Sequence, residues 1–328
     1  MPKYFDTLLL LALPASGKSE VRNFLTHKDP EGFHMGPTVQ IDDYPYVHMQ
    51  LRVDEELLKL GRPKVYHRDD DDGGRNGPFM DGHEWGALIQ LLNEDFQDLQ
   101  DAYGEKPERA THRLFQRLDA ASERAGGAGK IRSLPLAMQG RLADMLEGEA
   151  RQLFLDKAAN TPASLEDKTV VIEFARGGPQ GATMPLTGHH GYQYALQQLS
   201  DEILRRAAIL YIWVDPEESR RKNRERARPD GQGSILFHGT PESVMREEYG
   251  CDDMAYLIDT SDVPGTIRVE KGEQVFHVPV ARFDNRQDKT TFLRKPPSDW
   301  TEAEIQQIYG PLKEACDQLW TTWSKDRP

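Results

Sequence analysis

The chain has 328 residues, which is long enough for one elaborated domain or two. Its formal charge of -13 argues against broad, nonspecific association with nucleic acid or an anionic membrane, because the average field attracts neither. Cys251 and Cys316 form neither a disulfide framework nor a zinc motif, and no apolar run reaches the length of a membrane helix, so the expectation is a reducing, cytoplasmic setting without a membrane partner.

Thr7 to Leu13 is an apolar run that reads as a buried strand and breaks at Pro14-Ala15-Ser16-Gly17. Lys18 and Ser19 then open a helix expected to continue to Leu25. Strand, tight turn and helix N-terminus form the setting in which backbone N–H groups face phosphate oxygens, a Lys reaches the β- and γ-phosphates and a Ser hydroxyl coordinates Mg²⁺. Pro14, Ala15, Ser16, Gly17, Lys18 and Ser19 are therefore candidate nucleotide-binding residues. Ala12 stands where the full phosphate-loop pattern has Gly. The apolar start feeds this loop and not a small-residue cleavage site, so it is not read as a signal peptide.

Thr38 to Ile41 reads as a short buried strand that delivers Asp42 and Asp43 at its carboxyl end, where open parallel sheets hold their ligands. One carboxylate there can take a proton from an acceptor hydroxyl or join a Mg²⁺ shell; the plainer alternative is an Asx turn before Tyr44-Pro45. Asp69 to Asp72 sit in a Gly-rich segment and read as a mobile acidic loop, since adjacent like charges repel and stay solvated. Phe79, Asp81, His83 and Trp85 are candidates for lining an acceptor pocket. From residue 84 the period becomes helical: Trp85, Leu88, Ile89, Leu92, Phe96 and Leu99 recur at helix spacing, as do Met138, Leu142, Met145, Leu146, Leu153 and Phe154. Thr111 to Arg124 is a further helix, and Ala125 to Lys130 reads as a flexible break. The organisation expected is a nucleotide-binding core of residues 1–83 and 165–328, interrupted by a helical insertion at 84–164 that serves as a lid or acceptor subdomain.

Thr169 to Phe174 is a strong buried-strand pattern with Glu173 near its end, suited to holding Mg²⁺ through water or to acting as a general base; pairing with Arg176 is the structural alternative. His189 and His190 lie in a Gly/Pro-rich loop, where they either touch substrate or are solvated, and Tyr192 to Arg206 returns to helix. Ile209 to Val214 is the next strand, and Asp215-Pro216-Glu217-Glu218 opens a helix carrying Arg220, Arg221, Arg224, Arg226 and Arg228. Arg220, Arg224 and Arg228 are four apart and share a face, as guanidinium groups over a transferring phosphoryl group would; the alternative is a solvated face bridged to Glu217, Glu218 and Glu225. Val275 to Val280 reads as the last strand, followed by Arg282, Asn285 and Asp288 in a loop placed to approach a nucleotide base. Thr301 with Glu304 is a capping box for a final helix whose Ile305, Ile308, Leu312, Cys316, Leu319 and Trp323 share one face.

Five strands alternating with helices define an α/β chain with a doubly wound, parallel five-stranded sheet and a large helical insertion. In this order the pieces resemble the P-loop kinases of nucleosides, nucleotides and related small molecules. The resemblance rests on Pro14, Gly17, Lys18 and Ser19, on Asp42 and Asp43 in IDDYP, on Glu173 and Arg176 in VIEFAR, and on the Arg-rich segment after VDPEES. It implies ATP and Mg²⁺ as cofactors, Ser19 and Glu173 toward the metal, Asp42 or Asp43 as base or acceptor ligand, and Arg220, Arg224 and Arg228 in a lid. The activity expected is transfer of the γ-phosphoryl group of ATP to a small hydroxyl- or phosphate-bearing acceptor. A nucleotide hydrolase or switch, and a binding protein with a relic loop, are the rivals. Glu173 is followed by Phe174 and Ala175 and not by a second acid, which disfavours an ATPase motor, and no Asn-Lys-x-Asp segment reads guanine. The acceptor, the oligomeric state and the choice of base among Asp42, Asp43 and Glu173 stay open at this level.

Overall fold

The structure is a computed structural model that describes residues 3–70, 76–226 and 239–325, with Arg226 described by its backbone alone. Its strands are β1 (Thr7–Leu11), β2 (Thr38–Asp42), β3 (Thr169–Phe174), β4 (Ala207–Trp213), β5 (Thr266–Lys271) and β6 (Gln274–Asp284). Its helices are α1 (Lys18–His27), α2 (Tyr44–Lys59), α3 (His83–Gln100), α4 (Ala110–Arg124), α5 (Leu136–Asn160), α6 (Gly191–Gln198), α7 (Asp201–Arg206), α8 (Pro216–Arg226), α9 (Glu242–Glu247), α10 (Met254–Asp259) and α11 (Glu302–Trp323).

β1 is buried at every position, as a central strand covered on both faces must be. The sheet order is β2-β3-β1-β4-β6-β5, parallel throughout except that β5 runs antiparallel to β6. The sheet therefore has six strands, one more than the five expected. The sixth comes from a hairpin: Lys271 pairs with Gln274 across Gly272 and Glu273, and Gly272 supplies the positive φ of 58° that so tight a turn requires. Ile267 and Val269 of β5 point into the core while Arg268 and Glu270 point to solvent, the alternation of a sheet edge.

One face of the sheet, carrying Leu8, Leu10, Val171 and Leu210, packs on Phe24 and Leu25 of α1 and on Ile308, Leu312 and Leu319 of α11. The other, carrying Val39, Ile41, Ile172 and Ile209, packs on Ile89, Leu92 and Phe96 of α3 and on Ala195 and Leu196 of α6. A third cluster joins Tyr46, Met49, Val53 and Leu57 of α2 to Trp85, Leu88 and Leu91 of α3 and to residues of α4 and α5. α3 is thus apolar on two sides and sits between sheet and helical layer. α2 contributes to the same cluster, so the helical layer draws on residues before 84.

Two local expectations change. The helix expected over Tyr192–Arg206 is broken into α6 and α7, because the Ser200 hydroxyl accepts the Ile203 N–H at 3.2 Å and caps a new helix, while Asn93 holds the Ser200 N–H at 2.8 Å. The glycine run after α4 is a packed turn and not a free spacer: a Cβ on Gly127 would stand 3.0 Å from that of His83, and Lys130 at its end lies 2.5 Å from Asp81. Among the described residues, no helix is long and apolar enough to cross a membrane.

Candidate functional site

β1 lies between β3 and β4, so the turn that follows it emerges at the middle of the sheet, beside the carboxyl ends of β3 and β2. The turn is shaped by two left-handed residues, Ala15 at φ 57° and Gly17 at φ 93°, and Gly17 caps α1. Ala12 does not share that conformation; it is fully buried in the core, so the missing glycine leaves no strained side chain behind. The turn is fastened from behind. Ser219 of α8 donates to the Pro14 carbonyl at 2.7 Å, Asn285 donates to the Ser16 carbonyl at 2.9 Å, and the Ser16 hydroxyl donates to the Leu13 carbonyl. With those carbonyls turned inward, the first-turn N–H groups of α1, which a helix leaves without intrahelical partners, form the open end of the loop. Lys18 Nζ donates to the Ala12 carbonyl at 3.2 Å, and Ser19 is exposed.

Asp42 and Asp43 are adjacent in sequence yet serve opposite sides of the sheet: Asp42 is the last residue of β2, while Asp43, with φ -87° and ψ -10°, opens α2 and meets Arg176. Asp42 pairs in register with Glu173 on β3 and lies on the α1 side. Gln40 Nε2 stands 3.5 Å from both Asp42 Oδ2 and Glu173 Oε1. Burial, aided by the charges of Asp43 and Glu173, pushes the Asp42 carboxyl up to about 7, although the Tyr44 N–H and Arg22 favour its ionised form. Burial also raises Glu173, against the pull of Arg22 and Lys18. Glu173 does not pair with Arg176; its partner is Arg22 of α1, through Nη1 to Oε1.

Arg176 instead serves the helical side. It is buried, donates from Nη1 to Asp43 Oδ2 at 2.7 Å and from Nη2 to the Trp85 carbonyl at 3.2 Å, and its guanidinium lies 4.9 Å from the Trp85 ring centre. Trp85 Nε1 in turn donates to Glu248 at 2.7 Å, and His190 Nδ1 lies 3.7 Å from the same carboxylate. The remaining acceptor-pocket candidates converge nearby. The rings of His83 and His189 are 4.1 Å apart, His83 Nδ1 is 2.7 Å from Asp81, and burial together with the neighbouring His83 lowers His189. Phe79 packs edge-on against Trp85 with ring centres 4.9 Å apart.

The arginine helix divides. Arg221 pairs with Glu218 at 2.7 Å and with Glu225 at 2.5 Å, the solvated-face arrangement. Arg224 is exposed, 3.6 Å from Glu242. Arg220 has a buried Nη1 with no hydrogen-bond partner among the described residues. Arg228 lies outside the described residues, as do Asp71 and Asp72 of the acidic run, while Asp69 pairs with Lys64 at 2.7 Å. β6 runs on past Val280 to Asp284, so Arg282 lies on the strand and not in a loop, 4.2 Å over the Trp213 ring centre; beyond it Asn285 reaches the Pro14–Ser19 turn and Asp288 holds the buried Lys222 at 2.7 Å.

Sequence reasoning missed Arg22, Ser219 and Thr290. Arg22 stands four residues after Lys18 and so on the same helix face, a spacing that announces it. Ser219 and Thr290 give no sequence signal, because both act across the turn through tertiary contact.

No group of three or more His, Cys, Asp or Glu able to hold a metal occurs among the described residues. The donors beside the turn are oxygens: the Ser19 hydroxyl and the carboxylates of Glu173 and Asp42. Such a set suits Mg²⁺, which takes one or two carboxylates and completes its shell with phosphate and water. A positive group already rests on Glu173, in the form of the Arg22 guanidinium. No family model, curated protein or solved structure matches the chain.

Proposed function

We propose that the chain is a Mg²⁺-ATP-dependent phosphotransferase, with a sheet of the P-loop kinase type, that moves the γ-phosphoryl group to a small hydroxyl- or phosphate-bearing acceptor. The observation that carries this reading is the convergence of the Pro14–Ser19 turn, Asp42, Asp43 and Glu173 at the carboxyl ends of three adjacent parallel strands. In it, Lys18 leaves the Ala12 carbonyl for the β- and γ-phosphates, joined by the loop N–H groups. Ser19 and Glu173 would hold Mg²⁺, which supplies charge neutralisation on the phosphates. Asp43, fixed by Arg176, orients the acceptor on the side of Trp85, Asp81, His83 and His189. The acceptor proton goes to a carboxylate at the carboxyl end of β2, Asp42 or Asp43. Arg220, with its unpartnered Nη1, is the cation of α8 available to the transferred group. Cys251 and Cys316 are both free, which suits a reducing, cytoplasmic setting.

The test is incubation with γ-labelled ATP and a pool of small metabolites. A new labelled species supports transfer, whereas free labelled phosphate alone turns the reading to a hydrolase. Lys18→Ala is expected to lower the rate by a factor on the order of 100 or more, as loss of a preorganised cation on the reacting phosphates does. Undiminished turnover by that variant sinks the proposal.

A further inference from the structure

α1 carries two cations one turn apart, and both are folded back onto strand ends. Lys18 reaches the Ala12 carbonyl after β1, and Arg22 reaches Glu173 on β3. The Glu173 side chain is 7% exposed and that of Arg22 23%, so this ion pair sits largely out of water. Among the described residues Arg22 is the one ion-pair partner of Glu173, and Asp42, bridged to Glu173 by Gln40, has none. Arg176 is committed to Asp43 on the other side of the sheet. A buried ionised carboxylate stripped of its partner costs several kcal/mol, so Glu173 stays ionised only while a positive charge stands beside it.

We infer that Arg22 is the resident counter-ion of the Glu173–Asp42 pair and competes with a divalent cation for Glu173. The inference rests on the nucleotide-binding reading above. The guanidinium already sits on Glu173 Oε1, and a metal ion held by the same carboxylate would bring a second positive charge against it. Loading the site with metal and nucleotide therefore requires Arg22 to swing off Glu173, toward the open end of the turn. While Arg22 is seated, the apparent metal affinity is reduced by the fraction of molecules in which it has left.

Mn²⁺ serves as the probe, with the free ion counted by electron paramagnetic resonance in the presence of saturating ADP and the full-length chain. Arg22→Gln is expected to bind Mn²⁺ about tenfold more tightly than the unaltered chain, the factor that follows if the guanidinium is seated about nine-tenths of the time. Arg22→Lys, a shorter point charge without the guanidinium fork, is expected to tighten it less. Glu173→Gln is expected to weaken Mn²⁺ binding and to erase the effect of Arg22→Gln. Equal or weaker Mn²⁺ affinity in Arg22→Gln overturns the inference, and so does tightening that survives Glu173→Gln. If circular dichroism shows Arg22→Gln unfolded, Arg22→Lys decides: tighter binding supports the competition, and unchanged binding refutes it. Calorimetry with ADP separates the two levels. ADP that fails to bind with or without Mn²⁺ removes the phosphotransfer reading and this inference together, whereas ADP binding with an unchanged Mn²⁺ affinity removes only the inference.

Discussion

Gly17 is under two constraints at once: its φ of 93° disfavours any side chain, and a Cβ there would stand 2.4 Å from Thr290 Oγ1. Gly17→Ala is accordingly expected to lower stability by about 2–4 kcal/mol in urea unfolding, the sum of left-handed strain and local overpacking, and Thr290→Ala to return part of it. The first constraint was legible, since a glycine before Lys-Ser in a turn announces left-handed backbone. The second was not, because Thr290 arrives from the far end of the chain. The same division holds for the acids. Glu173, Asp42 and Asp43 could be placed at strand ends from pattern alone, but not their partners: Arg176 meets Asp43 across 133 residues of sequence and Arg22 meets Glu173 across 151. Proximity in sequence offers Arg176 as an alternative partner for Glu173, but Glu173 lies on β3 facing α1, while Arg176, two residues past the strand, turns to Asp43.

α11 is legible because one face is buried and its cap is written in the sequence. α11 begins at Thr301, whose hydroxyl accepts the Glu304 N–H at 3.2 Å while Glu304 accepts the Thr301 N–H at 2.9 Å. Thr301→Ala should cost about 1 kcal/mol, read as a shift in the urea midpoint at constant slope. The β5–β6 hairpin escaped notice although Ile267 and Val269 alternate with Arg268 and Glu270 before a glycine turn, because edge strands expose polar residues that resemble a loop. α2 escaped because charged and amide residues interrupt its apolar stripe; Asp54 is buried there to accept the N–H groups of Val65 at 2.7 Å and His67 at 2.8 Å. Arg176 is what joins elements near the site, tying the end of β3 to Asp43 at the start of α2 and to Trp85 of α3. Asp43→Ala is expected to destabilise by about 3–5 kcal/mol, since it leaves the 2% exposed Arg176 without its carboxylate, and Arg176→Met in that background to recover part. A double-mutant cycle in denaturant measures this, and additive losses would deny the coupling.

At the scale of the whole molecule the buried acids set how stability depends on pH. Glu84 is fully buried, and that burial raises its carboxyl from 4.5 to about 7; burial likewise lifts Asp42 from 3.8 to about 7 and Asp252 from 3.8 to about 6. Each keeps a proton in the folded chain that the unfolded chain releases near its ordinary value, so between these limits the unfolded state binds fewer protons. Stability from these groups is therefore full only below their ordinary values of 3.8 and 4.5 and falls as pH rises through them, levelling above about 7. Asp284, held down to about 2 chiefly by Arg286, works in the opposite sense but only as pH falls below 4. The formal charge of -13 at pH 7 adds self-repulsion in the same direction as the buried acids. The chain is thus expected to melt at a higher temperature at pH 5 than at pH 8. Salt separates the causes, since it screens the net charge far more than it does a buried carboxyl. Glu84→Gln isolates the largest contributor that lies outside the proposed chemistry. Gln50 donates to Glu84 Oε2 at 2.8 Å and Ser122 to Oε1 at 2.9 Å, and the Gln50 oxygen has no partner among the described residues. Turning the Gln50 amide over lets that oxygen accept from a protonated Glu84 or from the amide that replaces it, so the variant keeps the contacts of the neutral acid. It should lose about 3 kcal/mol of the fall in stability between pH 4.5 and pH 8, at 1.36 kcal/mol per unit. Urea titrations at both pH values read this directly, and a slope unchanged from that of the parent chain would show that Glu84 is ionised in the fold.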